Sequence, residues 1–251
     1  IRVAPYLLPH LQNRCVSLKR YPDGSGGDFF WEKDAPAFTP EWVETHAVPR
    51  RSGESDIHYI VVSDLRTLTW AAGVSTLEFH PFLSRNEAFE RPTAVVFDLD
   101  PGEPAGILES ARVALWVREL IERLNLRCFA KVSGSKGIQV YVPLNTPATY
   151  GDTQAFAKAV AAFLEGQHPK VIVSEMERSQ RRGKVFIDWS QNADYKTTVA
   201  VYSLRAKSRH PYISLPVAWE QLADAIRNND SASLYFGPES AIEILHETGD
   251  L

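Results

Sequence analysis

The sequence predicts an α+β protein, and three stretches carry that reading. Residues Thr93-Ala-Val-Val-Phe97-Asp98-Leu99-Asp100-Pro101-Gly102 begin apolar and β-branched and end on Pro-Gly, the pattern of a buried strand stopped by a turn. Residues 107–124 place apolar side chains at 107, 108, 111, 114, 115, 120, 121 and 124, the spacing of an amphipathic helix. Segments 127–132 and 138–142 read as strands joined by the glycine-bracketed loop Ser133-Gly134-Ser135-Lys136-Gly137.

The other elements follow in chain order. Residues 1–14 read as the end of a helix with Leu7, Leu8 and Leu11 on one side. Cys15 to Tyr21 alternates like a strand and stops at the turn Pro22-Asp23-Gly24. Gly26-Gly27 then leads into Asp28-Phe29-Phe30-Trp31-Glu32-Lys33. Three consecutive aromatics cannot all face one core from a strand. Either at least one points outward, where a base could stack on it, or the strand is covered on both faces. Residues 57–62 are a strand, 64–72 a short helix (Leu65, Leu68, Trp70) ended by Gly73, and 77–81 a second strand. Beyond the loop, 153–164 is a helix with Phe156, Val160 and Phe163 inward, and 184–189 is a strand carrying Asp188. Residues 196–204 form another strand, and helices lie near 217–227 and 239–247. There is no internal repeat and no low-complexity linker, so composition separates no domains.

With 251 residues the chain can bury a full core, as one large domain or as two intimately packed modules. A hydrophobic share of 44% and a charged share of 23% are those of a soluble globular protein. Cys15 and Cys128 have no partner at ligand spacing, which argues against a structural zinc or a disulfide framework and for a reducing, cytoplasmic setting. No apolar run reaches membrane-spanning length and no secretory signal is present. The chain opens on Ile1 rather than Met, so its natural start is expected elsewhere. The net charge of −4 argues weakly against a polyanion partner, but the charge is uneven. Between Arg178 and Arg209 eight basic residues face only Asp188 and Asp194, whereas 230–251 holds five acids and no Lys or Arg. A local basic strip matters more to a polyanion than the global sum.

Asp98 and Asp100 fall on one face of their strand, where two like charges repel unless a cation sits between them. Oxygen-rich sites of this kind suit Mg²⁺ or Mn²⁺; the competing reading is two solvated carboxylates at a loop mouth. The 133–137 loop lets backbone N–H groups approach an anion, with Ser oxygens and Lys136 adding donors, although alone it reads equally as a surface hairpin. It lacks Walker A spacing and no helix follows it. In 178–192, Arg178, Arg181, Arg182 and Lys184 run straight into Asp188. A lone Asp inside Val-Phe-Ile-Asp-Trp is costly to bury without a partner. If Asp188 joins Asp98 and Asp100, three carboxylates could hold two divalent ions while the cations take a triphosphate, as nucleotidyl transfer requires.

The blocks FDLDPG (97–102), SGSKGIQVYVPL (133–144), GKVFIDWSQN (183–192) and KTTVAVYSLRA (196–206) together resemble the polymerase domain of bacterial DNA ligase D, within the archaeo-eukaryotic primase superfamily. SLKRYPDG (17–24), FFWEK (29–33) and LEFHPFLSR (77–85) extend the resemblance to nearly the whole chain. It implies one catalytic domain over 1–251, with two α/β modules around mixed, largely antiparallel sheets and a cleft between them. It implies Asp98, Asp100 and Asp188 as ligands of two divalent ions (Mn²⁺ or Mg²⁺). His80, Ser133, Lys136, Arg181, Gln191 and Arg205 would contact the incoming NTP or dNTP, mostly at its triphosphate. Phe29 and Phe30 would stack on the DNA template, with Lys19 and Arg20 near its backbone. The implied activity is addition of nucleotides, preferentially ribonucleotides, to DNA 3′ ends at gaps or short overhangs during non-homologous end joining. Ku and a DNA ligase, separate or on the same chain, would be partners at the nucleoid.

Two departures qualify the resemblance. Gln139 stands where many relatives have His, and the family's N-terminal segment, whose lysines read a downstream 5′-phosphate, is absent from this sequence. Two other readings compete. Val-Val-Phe-Asp-Leu-Asp also fits a haloacid-dehalogenase-type phosphatase, with Asp98 phosphorylated and Asp100 a general acid, but Pro101-Gly102 replaces the expected Gly-Thr. Turnover of p-nitrophenyl phosphate would favour that enzyme. A non-catalytic DNA-binding module is the other, and the intact carboxylate set argues against it.

Overall fold

The computed structural model describes every residue except 51, 54, 208 and 251. Helix α1 (Ala4–Leu11) buries Leu7 and Leu11, leaves Leu8 partly covered, and packs on α2 (Leu65–Gly73). Asp64 caps α2 by accepting from the Thr67 amide at 2.7 Å, and Gly73 is the last helical residue.

The first sheet is antiparallel and built on β1 (Cys15–Arg20). This strand pairs with β2 (Phe30–Glu32) and β4 (Ile57–Val61), and along most of its length with β5 (Thr76–Pro81). β3 (Thr45–Val48) adds to β4. β1 is a central strand whose first five residues are all buried, and this encloses even Ser17 and Lys19.

The second sheet centres on β6 (Ala94–Pro101), β7 (Phe129–Val132) and β8 (Ile138–Pro143), with β9 (Ile172–Val173) and β10 (Val185–Asp188) beyond β6. β11 (Leu204–Arg205) and β12 (Tyr212–Ile213) form a separate ribbon, and β13 (Pro216–Val217) closes the far edge beside β7. The order is β13-β7-β8-β6-β10-β9, antiparallel except for the parallel β9–β10 pair. α3 (Ile107–Arg123) and α4 (Tyr150–Gln167) pack on this sheet, α5 (Trp219–Arg227) packs on α3, and α6 (Pro238–Thr248) lies near β12. One apolar cluster runs through both sheets, taking Leu18, Ile60 and Phe79 from the first and Phe97, Leu99 and Val140 from the second. Phe97 and Leu99 turn into that cluster, and strand alternation leaves Asp98 and Asp100 on the opposite face.

Two expectations are corrected here. Residues 196–204 are not a strand: Thr197 makes one isolated bridge to Phe82, and Tyr202, at φ +63°, turns the chain so that only Leu204–Arg205 pair regularly. Phe163 faces solvent rather than the core, because the buried stripe of α4 runs through Thr153, Ala157, Val160, Ala161 and Leu164, and Phe163 lies off its edge.

Candidate active site

A single register row crosses four strands of the second sheet: Asp188 on β10 opposes Asp98 on β6, Asp98 opposes Gln139 on β8, and Gln139 opposes Lys131 on β7. Directly opposed residues share a face, so these polar side chains line the same side of the sheet. Asp100 follows Asp98 on that side. The Asp98 carboxyl is raised to about 7, first by burial and then by the charges of Asp100 and Asp188. Asp100 is raised by burial and by Asp188, against the pull of Lys136, Arg181 and Arg205. Asp188 accepts from the backbone N–H and the hydroxyl of Ser190, which aims its carboxylate at the start of the next turn.

Sequence reasoning placed Gln191 at the nucleotide. Its amide nitrogen sits 3.4 Å from Asp98 Oδ2 and 3.5 Å from Asp188 Oδ2, while its Oε1 is buried without a partner. Among the described residues no three His, Cys, Asp or Glu side chains form a ready cluster around one metal ion. The donor set nevertheless suits hard divalent ions: three carboxylates from adjoining strands, two of them pushed towards neutrality by burial and then by their mutual repulsion.

Glycines bring the cations to this row. A Cβ on Gly137 would lie 2.9 Å from the Leu99 carbonyl and 3.2 Å from Asp100 Oδ1, so only glycine lets the 133–137 loop lie this close to β6. Gly134, at φ +71°, packs against the stem of Arg205, where a Cβ would meet Cγ at 2.8 Å. Ser133 is buried, its hydroxyl accepting from the Ser135 amide, and Lys136 stands exposed at the tip. A Cβ on Gly102 would come within 2.0 Å of the Arg181 carbonyl, so this glycine seats the Arg181 segment beside the end of β6. Arg181 lies over the Phe186 ring at 3.6 Å and donates to the Met176 carbonyl. The Nε atoms of both Arg181 and Arg205 are buried with no partner. Two cations with unpartnered Nε donors beside a carboxylate cluster suit an anionic ligand.

His80 faces the same region from the first sheet. Its Nε2 lies 3.0 Å from Glu78 Oε2, and since a carboxylate only accepts, Nε2 carries the proton and Nδ1 is left as an acceptor. Burial lowers the imidazole to about 4 despite Glu78, so it is neutral at pH 7. Nδ1 therefore suits a hydroxyl donor better than a phosphate oxygen.

The aromatic run resolves in favour of exposure: Phe29, Phe30 and Trp31 are 50%, 43% and 45% exposed. Each also covers a polar neighbour. Phe29 lies 3.7 Å from Lys19 Nζ, Phe30 lies over Arg20, and Trp31 meets the His80 ring edge-on. Lys19, expected near the DNA backbone, is a correction. It is 2% exposed and bonded to Glu78 at 3.2 Å, because a buried ammonium requires an anion. Arg20 remains partly open, paired with Glu32 at 2.9 Å and donating to the Val74 carbonyl.

Sequence reasoning missed Glu78 and Lys131. Glu78 could have been found as an acid alternating with His80 inside an otherwise apolar strand. Lys131 is buried in the carboxylate row, donates to Ser214 Oγ at 2.6 Å, and is lowered to about 7 by burial. A cavity of about 390 Å³ reaches Lys131 and Tyr141 and is bounded by Arg14, Phe82 and Thr198; none of the three carboxylates lines it.

Comparisons with known proteins show the family to which the chain belongs. The family described as LigD, primase-polymerase domain, matches residues 1–251. The multifunctional non-homologous end joining protein LigD of Mycolicibacterium smegmatis is 36% identical over 253 residues, covering 100% of this chain and 32% of that protein. The bifunctional LigD of Bacillus subtilis is 32% identical over 228 residues, 90% of this chain and 36% of that protein. This chain thus spans about a third of the length of these relatives. Among solved structures, the polymerase domain from Mycobacterium tuberculosis Ligase D in complex with DNA superposes with a TM-score of 0.90 at 34% identity, covering 100% of this chain and 87% of that one. The phosphatase reading of Asp98 falls with this match, and the chain belongs to the LigD primase-polymerase domain family.

Proposed function

We propose that this chain is a DNA-dependent nucleotidyltransferase that extends DNA 3′ ends at gaps and short overhangs in non-homologous end joining, with a preference for ribonucleotides. One observation carries the reading: Asp188 lies opposite Asp98, with Asp100 beside them, and three cations, Lys136, Arg181 and Arg205, act on Asp100. Asp98, Asp100 and Asp188 would hold two divalent ions, Mn²⁺ or Mg²⁺, which when bound would activate a 3′-hydroxyl and neutralise the leaving pyrophosphate.

The residues of this chain supply the rest. Lys136, Arg181 and Arg205 bind the triphosphate, and Ser133 and the glycine-loop amides add neutral donors. Gln191, whose amide nitrogen lies between Asp98 and Asp188 and whose Oε1 is unpartnered, would contact the incoming nucleotide. His80 accepts from a nucleotide hydroxyl through Nδ1. Phe29 and Phe30 stack on template bases, with Arg20 beside them. The whole of 1–251 acts as one catalytic unit of two packed modules, in the cytoplasm at the nucleoid, alongside Ku and a DNA ligase on the same or another chain. No described helix is long and apolar enough to cross a membrane.

The test is primer extension on a gapped duplex, comparing rNTPs with dNTPs and Mn²⁺ with Mg²⁺. Template-dependent addition with rNTPs favoured is the expected result. Absence of any addition, with the protein folded and DNA-bound, overturns the reading.

A further inference from the structure

We propose that Glu78 is a positioning residue for nucleotide recognition, fixing the Arg205 guanidinium and the His80 imidazole toward the incoming triphosphate and sugar; this rests on the nucleotidyltransferase reading above. The side chain has no exposed surface, so it touches no substrate itself. Its two oxygens take five donors. Oε1 accepts from Lys19 Nζ at 3.2 Å, Tyr21 OH at 2.6 Å and the Ala206 amide at 3.2 Å. Oε2 accepts from His80 Nε2 at 3.0 Å and Arg205 Nη1 at 2.7 Å.

Two consequences bear on nucleotide binding. The first is orientation. Arg205 is clamped at Nη1 by Glu78 and along its stem by Gly134, which leaves Nε and the other face of its planar fork for a ligand. His80 is locked in one tautomer with Nδ1 free to accept. The second is charge. Glu78 alone would cancel Arg205, but Lys19 lies against the same carboxylate, so two cations share one anion and a net positive charge remains. The buried carboxylate stays ionised. Burial pushes its pKa up, but the bond from His80, the charge of Arg205 and the bond from Tyr21 outweigh that and hold it below the usual range.

The experiment measures NTP dependence of extension on a gapped duplex with Mn²⁺ for wild type, Glu78→Gln, Glu78→Asp, Arg205→Ala and the Glu78→Gln/Arg205→Ala double variant, with folding followed by urea denaturation. Gln sets an amide NH₂ against a wall of donors, whereas Asp keeps the charge but draws the oxygens back by one methylene. The expected result is a KM for NTP raised about tenfold or more in both Glu78 variants, as for loss of a charge-assisted hydrogen bond. Mn²⁺ dependence and DNA affinity should be retained. The double variant should lose less than the two single losses combined, since Arg205 is one of the two groups that Glu78 orients. Folded variants with wild-type KM, or additive losses in the double variant, overturn the proposal. If neither Glu78 variant folds, the residue is structural and the proposal also fails. A wild-type protein that adds no nucleotide removes the nucleotidyltransferase reading itself, which is a separate and distinguishable outcome.

Discussion

Replacing Lys19 by Met separates a buried partner of Glu78 from a contact to the DNA backbone. The Lys19–Glu78 pair is 2% and 0% exposed, and its ammonium also lies 3.7 Å from the Phe29 ring. Breaking a buried ion pair by removing one member costs about 3–5 kcal/mol when the other charge is left unpaired. Here it is not, because Tyr21, His80, Arg205 and the Ala206 amide still donate to Glu78. The loss is then nearer that of one hydrogen bond to a charged group, about 1.5–3 kcal/mol, with about 0.5–1 kcal/mol more from the aromatic contact. Met refills most of the volume and adds little cavity cost. A total of about 2–4 kcal/mol corresponds to a Tm lower by roughly 4–16 °C for a chain of this size. The assays are urea denaturation and DNA binding by fluorescence anisotropy over a salt series. The salt slope should be unchanged, whereas loss of a phosphate contact would flatten it by roughly 0.7–0.9. Wild-type stability combined with a flattened slope would refute the placement of Lys19.

The other predictions are briefer. Gly137→Ala forces a methyl to within 2.9 Å of a strand carbonyl, so the loop should retreat from Asp100; stability should fall by about 1–3 kcal/mol and KM for NTP should rise, read by denaturation and steady-state kinetics. His80 is lowered from 6.5 to about 4, so the unfolded chain binds its proton first and stability drains as pH falls from about 6.5 toward 4. That amounts to about 3 kcal/mol, and His80→Gln should show a shallower loss of stability over this window in urea titrations at pH 7, 5.5 and 4.5. Phe29→Ala/Phe30→Ala should weaken binding to overhanging DNA by about 1–3 kcal/mol per lost stacked base while sparing NTP affinity, with anisotropy and NTP titration run in parallel. Unchanged DNA binding would remove these rings from the template surface.

Regular periodicity made the long elements legible. The helix at 107–123 and the strand at 94–101 were expected within one residue, because each shows one face to a single environment over many residues. The shared face of Asp98 and Asp100 followed from alternation alone. β9, β12 and β13 each contain two residues and are defined by their partners rather than by any local pattern. The segment 196–204 carries a β-branched run yet is set by a turn at Tyr202 and by single bonds to Pro81 and Phe79. The basic strip was visible in sequence, but the partners of its members were not. The burial of Lys19 and Lys131 was not legible, since burial of a lysine depends on an anion or hydroxyl supplied from far along the chain.

The most direct measurement is single-turnover nucleotide addition on a gapped duplex by Asp98→Asn, with urea denaturation alongside. This change keeps the shape of a side chain opposed to Asp188 and removes one of three repelling charges. The account predicts stability at or above wild type, since a raised carboxyl is one that folding penalises when ionised. It predicts addition slowed by about 10³-fold or more, the equivalent of about 4 kcal/mol of metal-assisted stabilisation. Addition at the wild-type rate by a folded Asp98→Asn would contradict it.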